Sequence, residues 1–207
     1  LVTKRIQQLD DTTIGHIAAG EVVERPAQVV KELVENSLDA GSTSVSITVE
    51  NGGFDALVVE DNGFGIVAED LPLALDRHAT SKLTNKNDLA SIASLGFRGE
   101  ALASIGMVSR LTIASRPASS DGASIVMEDG VKNDPKPTGM PEGTRISVEH
   151  LFQNTPARLA FQRRPETETA RIVDVVVSHA LAHPECAFHL KTERRTLLNV
   201  PATDDML

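Results

Sequence analysis

Between Pro26 and Ala40 the apolar positions repeat at the spacing of a helix. At about 100° per residue, Ala27, Val30, Leu33, Val34 and Leu38 share one face, and Gln28, Glu32, Glu35, Asn36 and Asp39 share the opposite one. Pro26 suits the first helical turn, where its missing N–H costs nothing, and Gly41 suits the position just past the end. The period then changes to two: Val45, Ile47 and Val49 alternate with polar residues, as in a half-buried strand. Asn51-Gly52 marks a hairpin, and residues 56–59 read as a second, more buried strand. A short helix is predicted over 69–75, another around Leu89, Ile92 and Ala93 closed by Gly96, and a third over 100–105. Residues 80–87 read as polar and irregular. Strand-like stretches follow at 110–114, 123–127 and 145–148, with the Pro/Gly-rich stretch 135–143 as a surface loop. A long amphipathic helix over 166–182 (Ile172, Val173, Val176, Val177, Ala180) ends at Pro184, and two short strands, 187–191 and 196–200, follow. Hairpins interleaved with helices, without a steady βαβ alternation, predict the α+β class: a mixed, mostly antiparallel sheet covered by helices on one face.

Composition narrows the function classes. The chain of 207 residues is read as a single domain over 1–207, with a polar lead-in from Leu1 to Asp11. Its 20 Lys and Arg against 29 Asp and Glu give a net charge of −9, which argues against a general nucleic-acid coat while leaving room for a local basic groove. Hydrophobic residues at 41% and charged residues at 24% are the balance of a globular domain. With no Trp, no Tyr and 3% aromatics, a base-stacking platform for single strands is not expected. The one cysteine, Cys186, cannot form an internal disulfide, so a reducing cytoplasmic setting is expected. No apolar run approaches the roughly 20 residues of a spanning helix, so no membrane partner is expected.

Three segments carry candidate chemistry. On the 26–40 helix, Glu32, Glu35, Asn36 and Asp39 stand at i, i+3, i+4 and i+7. Such like charges mildly destabilise a helix, by a few tenths of a kcal/mol. An amide among carboxylates also suits an oxygen-ligated Mg²⁺ that keeps several waters. Asp61-Asn62-Gly63-Phe64-Gly65-Ile66 follows the second strand. Gly63-x-Gly65-x-x-Ala68 fits the loose dinucleotide fingerprint, but Asp61 would repel a pyrophosphate and no ribose-binding acid follows on a second strand at the required distance. Gly15-x-x-x-x-Gly20 opens like a P-loop, yet Glu21 stands where its lysine belongs. In Gly96-Phe97-Arg98-Gly99-Glu100-Ala101-Leu102, two glycines bracket an arginine at a helix start, which is anion-site chemistry, and Lys82 could add a second positive group. The six histidines show no metal-ligand spacing and read as structural or surface residues.

Together these segments resemble the N-terminal ATPase of the MutL DNA mismatch repair proteins, in a bacterial or archaeal form. The resemblance rests on 17–26 (IAAGEVVERP), 31–41 (KELVENSLDAG), 61–66 (DNGFGI), 77–82 (RHATSK), 96–105 (GFRGEALASI), Gly143-Thr144 and 154–158 (NTPAR). The parent class is the GHKL ATPases, with gyrase B subunits, the large heat-shock chaperone and histidine kinases. The resemblance implies a Bergerat-type two-layer α/β sandwich with ATP between helices and sheet. It also implies Glu32 as the general base toward the attacking water, and Asn36 as the protein ligand of Mg²⁺. Asp61 would accept the adenine amino group, Gly65 and Ile66 would shape that pocket, and Thr144 would support it. Gly96, Phe97, Arg98, Gly99, Glu100, Ala101 and Leu102 would cover the phosphates, with Thr80, Ser81 and Lys82 nearby. The implied activity is slow ATP hydrolysis driving a nucleotide-gated self-dimer, with residues 1–20 a mobile lead-in. Implied partners are the mismatch-recognition protein MutS, other repair proteins, and DNA through a groove mostly outside this chain. The family's lysine-donating second domain and C-terminal dimerisation domain are not expected within it, and a nucleoid-associated role in the cytoplasm is. A non-catalytic ATP-gated clamp is the alternative. Another GHKL member, such as a topoisomerase subunit, is disfavoured by the GFRGEAL and NTPAR segments.

Overall fold

A computed structural model describes residues 6–82, 94–96 and 99–203. The expected helix around Leu89, Ile92 and Ala93 and the candidates Phe97 and Arg98 lie outside them. The 26–40 helix is present as α2 (Pro26–Asp39), after an N-terminal helix α1 (Asp11–Val22). β1 (Ser44–Glu50) and β2 (Ala56–Asp61) form the hairpin expected at Asn51-Gly52, where both residues take positive φ, 47° and 70°. Next come α3 (Leu71–Ala74), α4 (Ala101–Met107), β3 (Arg110–Arg116), β4 (Ala123–Glu128), the short β5 (Val131–Lys132) and β6 (Lys136–Pro137), and β7 (Gly143–Glu149). α5 (Pro156–Ala160), α6 (Pro165–Ala182), β8 (Ala187–Thr192) and β9 (Thr196–Val200) complete the order.

The strands form one sheet in the order β5-β4-β3-β7-β2-β1-β8-β9, with β6 also paired to β4. Among the described residues, every pairing is antiparallel except β1 with β8. The α+β expectation of a mixed sheet under helices is borne out. Inward positions alternate along each strand: Val45, Ile47 and Val49 on β1, Leu57 and Val59 on β2, Leu111 and Ile113 on β3, Phe188 and Leu190 on β8. α2, α4 and α6 cover this face and contribute Val30, Leu33, Val34, Ile105, Ile172 and Val176 to one core. Each such side chain taken out of water contributes roughly 1.5–3 kcal/mol. The core therefore welds α2 to the sheet.

Several elements differ from the sequence-based expectation. Part of the stretch expected as lead-in is helical, because Asp10 accepts from the Thr13 N–H at 2.8 Å and caps α1. The apolar stripe that would announce this helix is blurred, since Ile14 and Ile17 are exposed while Ala19 is buried. α1 packs on α4 and is gripped by two arginines: Arg77 Nη2 donates to the Gly15 carbonyl at 2.8 Å and Arg158 Nη2 to that of His16 at 3.2 Å. α5 is too short for its period to show, and β6 lies inside the expected 135–143 loop.

Candidate functional site

The candidate site lies where α2 meets the end of β2 and the start of β7. Register sets Asp61 between Val45 of β1 and Thr144 of β7. Three donors converge on its carboxylate: the Ser37 hydroxyl at 2.8 Å, the Gly63 N–H at 2.9 Å and the Thr144 N–H at 3.2 Å. Burial still pushes the Asp61 carboxyl above its ordinary range, because desolvation outweighs these hydrogen bonds. The result is a poorly hydrated acceptor held in one orientation.

The backbone around it has no room for other residues. Gly65 has φ 73°, and a Cβ there would stand 2.8 Å from the Arg116 carbonyl. Gly143 has φ 116°, and a Cβ there would run into the Asp61 carbonyl oxygen. Ser115 ties these strands together: its Oγ accepts from the Ile66 N–H at 2.8 Å and lies 2.9 Å from the Thr144 hydroxyl and 3.0 Å from the Gly143 carbonyl. Asp61, Gly65, Ile66 and Thr144 are therefore brought together as the sequence suggested. Ser37 and Ser115 were missed. Each is a polar residue at a buried position, and Ser115 breaks the inward series Leu111, Ile113, Ser115. That break was the available signal.

The N-terminal half of the site runs along α2. Glu32 is one-third exposed, 3.8 Å from Lys31 Nζ. One turn on, the Asn36 Oδ1 accepts from Lys82 Nζ at 2.9 Å, and the same ammonium pairs with Asp39 Oδ2 at 2.5 Å. Gly96 stands beside them, donating to Asp39 at 3.2 Å, and Thr80 Oγ1 accepts from the Lys82 N–H at 3.1 Å. Ser81 is exposed. Gly99 has φ 63° and passes so close to the Ala79 carbonyl that a side chain would collide with it. Glu100 pairs with His78 at 2.9 Å, while Ala101 and Leu102 open α4, half-buried.

One member of the expected polar stripe is not on it. Glu35 is buried against α6, paired with Lys31 at 2.7 Å and 3.6 Å from His179. α6 covers that arc of α2, so the arc is interior. Among the described residues no cluster of three or more His, Cys, Asp or Glu could cage a metal. The Asn36 oxygen already faces a cationic group, and a hard cation there would take most of its ligands from phosphate and water, as Mg²⁺ prefers.

An open mixed sheet under an acid-and-amide helix, with a buried carboxylate at the strand end and glycines at the facing turn, defines a nucleotide-binding class. The chain belongs to the histidine kinase-, DNA gyrase B- and HSP90-like ATPases, whose family profile matches residues 24–138. This bears out the GHKL resemblance of the motifs. It is 48% identical over 204 residues, 98% of its length, to the DNA mismatch repair protein MutL of Pelobacter propionicus, of which it covers 34%. It is 50% identical over 200 residues, 96% of its length, to that of Acidiphilium cryptum, again covering 34%. The chain thus spans about a third of the length of these curated relatives. Among solved structures, the Aquifex aeolicus MutL ATPase domain complexed with ADP matches with a TM-score of 0.72 and 33% identity, over 88% of this chain and 66% of that one.

Proposed function

We propose that this chain binds ATP and hydrolyses it slowly, as the nucleotide module of a MutL-type mismatch repair protein. The observation that carries the reading is the shared use of α2. The helix that bears Glu32 and Asn36 also bears Ser37, whose hydroxyl orients the Asp61 carboxylate. Base recognition and phosphate chemistry are thereby fixed to one rigid element, which is the positioning phosphoryl transfer depends on. Asp61 accepts the adenine amino group, with Gly65, Ile66 and Thr144 shaping the pocket. Glu32 orients and deprotonates water. Thr80, Ser81, Lys82, Gly96 and Gly99 to Leu102 face the phosphates. Asn36 would hold Mg²⁺, which supplies charge neutralisation on the phosphates when bound. The Aquifex aeolicus MutL ATPase domain, to which this chain is similar in fold, is complexed with ADP, which supports a nucleotide ligand here.

We read this module as belonging to an ATP-gated self-dimer that acts with MutS, other repair proteins and DNA in the cytoplasm. Among the described residues no helix is long and apolar enough to cross a membrane.

The adenine assignment is tested by titrating the chain with ATP and GTP in Mg²⁺. Guanine presents a carbonyl where adenine presents its amino group, so GTP would set acceptor against acceptor in a desolvated pocket. Such sites reject the mismatched analogue by up to about 10⁴-fold. Equal affinity for the two nucleotides would remove Asp61 as the adenine reader.

A further inference from the structure

The carboxylate of Asp39 gathers three donors from two separate stretches of chain. Oδ2 takes the Lys82 ammonium at 2.5 Å and the Gly96 N–H at 3.2 Å, and Oδ1 takes the Leu95 N–H at 2.9 Å. Its side chain is 12% exposed, so the pairing with Lys82 is shielded from solvent. Lys82 in turn reaches Asn36 at 2.9 Å, and the Gly96 backbone lies against both: a Cβ on it would stand 3.5 Å from Lys82 Nζ and 3.9 Å from Asn36 Oδ1. A carboxylate one turn beyond Asn36 on α2 thus sets where a cationic side chain and a glycine N–H stand relative to the amide oxygen.

We infer that Asp39 is a positioning residue for the nucleotide's phosphates, acting through Lys82 and Gly96 and not by touching the nucleotide itself. The inference rests on the ATP-binding reading above. Lys82 has more donors than Asp39 can use, since an ammonium carries three. A Mg²⁺ held by the Asn36 oxygen would compete with the Lys82 bond to it. The N–H so freed would be available to a phosphate oxygen, with Asp39 keeping the ammonium in place. Without Asp39 the long lysine side chain regains its rotamer freedom, and ordering it again falls on the binding step. Asp39 is also the last residue of α2, at a helix C-terminus, where a carboxylate is not favoured by the helix dipole. Its partners therefore outweigh an unfavourable end position.

The test is a double-mutant cycle read by equilibrium binding of ADP, with and without Mg²⁺, on the 207-residue chain. Asp39→Asn keeps the shape but replaces one acceptor oxygen by a donor. It should weaken ADP binding by about tenfold, the loss typical of one charge-assisted hydrogen bond. Lys82→Met should weaken it similarly. The double variant should lose clearly less than the two single losses added together, because most of what Asp39 does passes through the lysine. Asp39→Glu, which keeps the charge, should recover part of what Asp39→Asn loses, and it guards against an effect on folding alone. Unchanged affinity in Asp39→Asn, or losses that add in the double variant, overturns the positioning role while leaving the nucleotide reading intact. A wild-type chain that binds no ADP overturns both.

Discussion

At Asp61, two demands oppose each other. Burial disfavours the charge, and recognition of a donor requires it. Because burial raises the carboxyl above its ordinary value near 3.8, the folded state takes up a proton at a pH where the unfolded chain stays ionised. Stability rises with pH only where the unfolded state binds more protons, so here the sign is reversed. Relative to Asp61→Asn, the wild-type chain should gain stability as pH falls through the raised value, with the gain complete below about 3.8. Paired denaturant titrations across that window check this, and a wild-type advantage that shrinks as the pH falls would contradict it. Gly143 allows an independent probe of the same corner. Gly143→Ala combines a positive φ with a collision against the Asp61 carbonyl. A loss of about 1–3 kcal/mol in unfolding free energy is expected. Gly41 is also at positive φ, 71°, but has open space around its Cβ position, so Gly41→Ala should lose less. The residues that carry chemistry were legible because carboxylate, amide and glycine stood at fixed spacings. Ser37, Ser115 and Asp39 were harder to assign, since their roles come from partners 24 to 57 residues away.

At the scale of elements, α2 is the beam on which the site is mounted. Its apolar positions were readable at period 3.6, and its N-terminal proline and following glycine bounded it within a residue. What the period could not show is which polar residues face solvent. Glu35 lies on the arc that α6 covers, and only the tertiary contact makes it interior. Because Leu33 is fully buried under the sheet, Leu33→Ala should destabilise the fold by about 2–5 kcal/mol. By the same accounting Lys31→Ala should cost more than an ordinary surface change, since Lys31 is the 2.7 Å partner of the buried Glu35. Chemical denaturation midpoints distinguish the two effects, and a neutral Leu33→Ala would mean that α2 is not anchored as described. α1 shows the opposite limit of sequence reading. Its docking depends on Arg77 and Arg158 reaching carbonyls from 62 and 142 residues away, and no local pattern carries that.

For the molecule as a whole, strand alternation established a mixed sheet but not its order. The central neighbours β3-β7-β2-β1 follow from long-range pairing, and the parallel contact of β1 with β8 joins strands with most of the chain between them. That arrangement brings Asp61, Ser115 and Thr144 into one corner and leaves α2 to span from it to Glu32. The net charge of −9 fits a domain that meets nucleotide at a local site. The division of labour along α2 is tested most directly by Glu32→Ala, followed by direct ATP titration and single-turnover hydrolysis beside the wild-type chain. The account predicts that binding stays within a few-fold while hydrolysis falls by about 10²- to 10⁴-fold, the usual loss on removing a general base. Wild-type hydrolysis in a variant that binds ATP normally would contradict it.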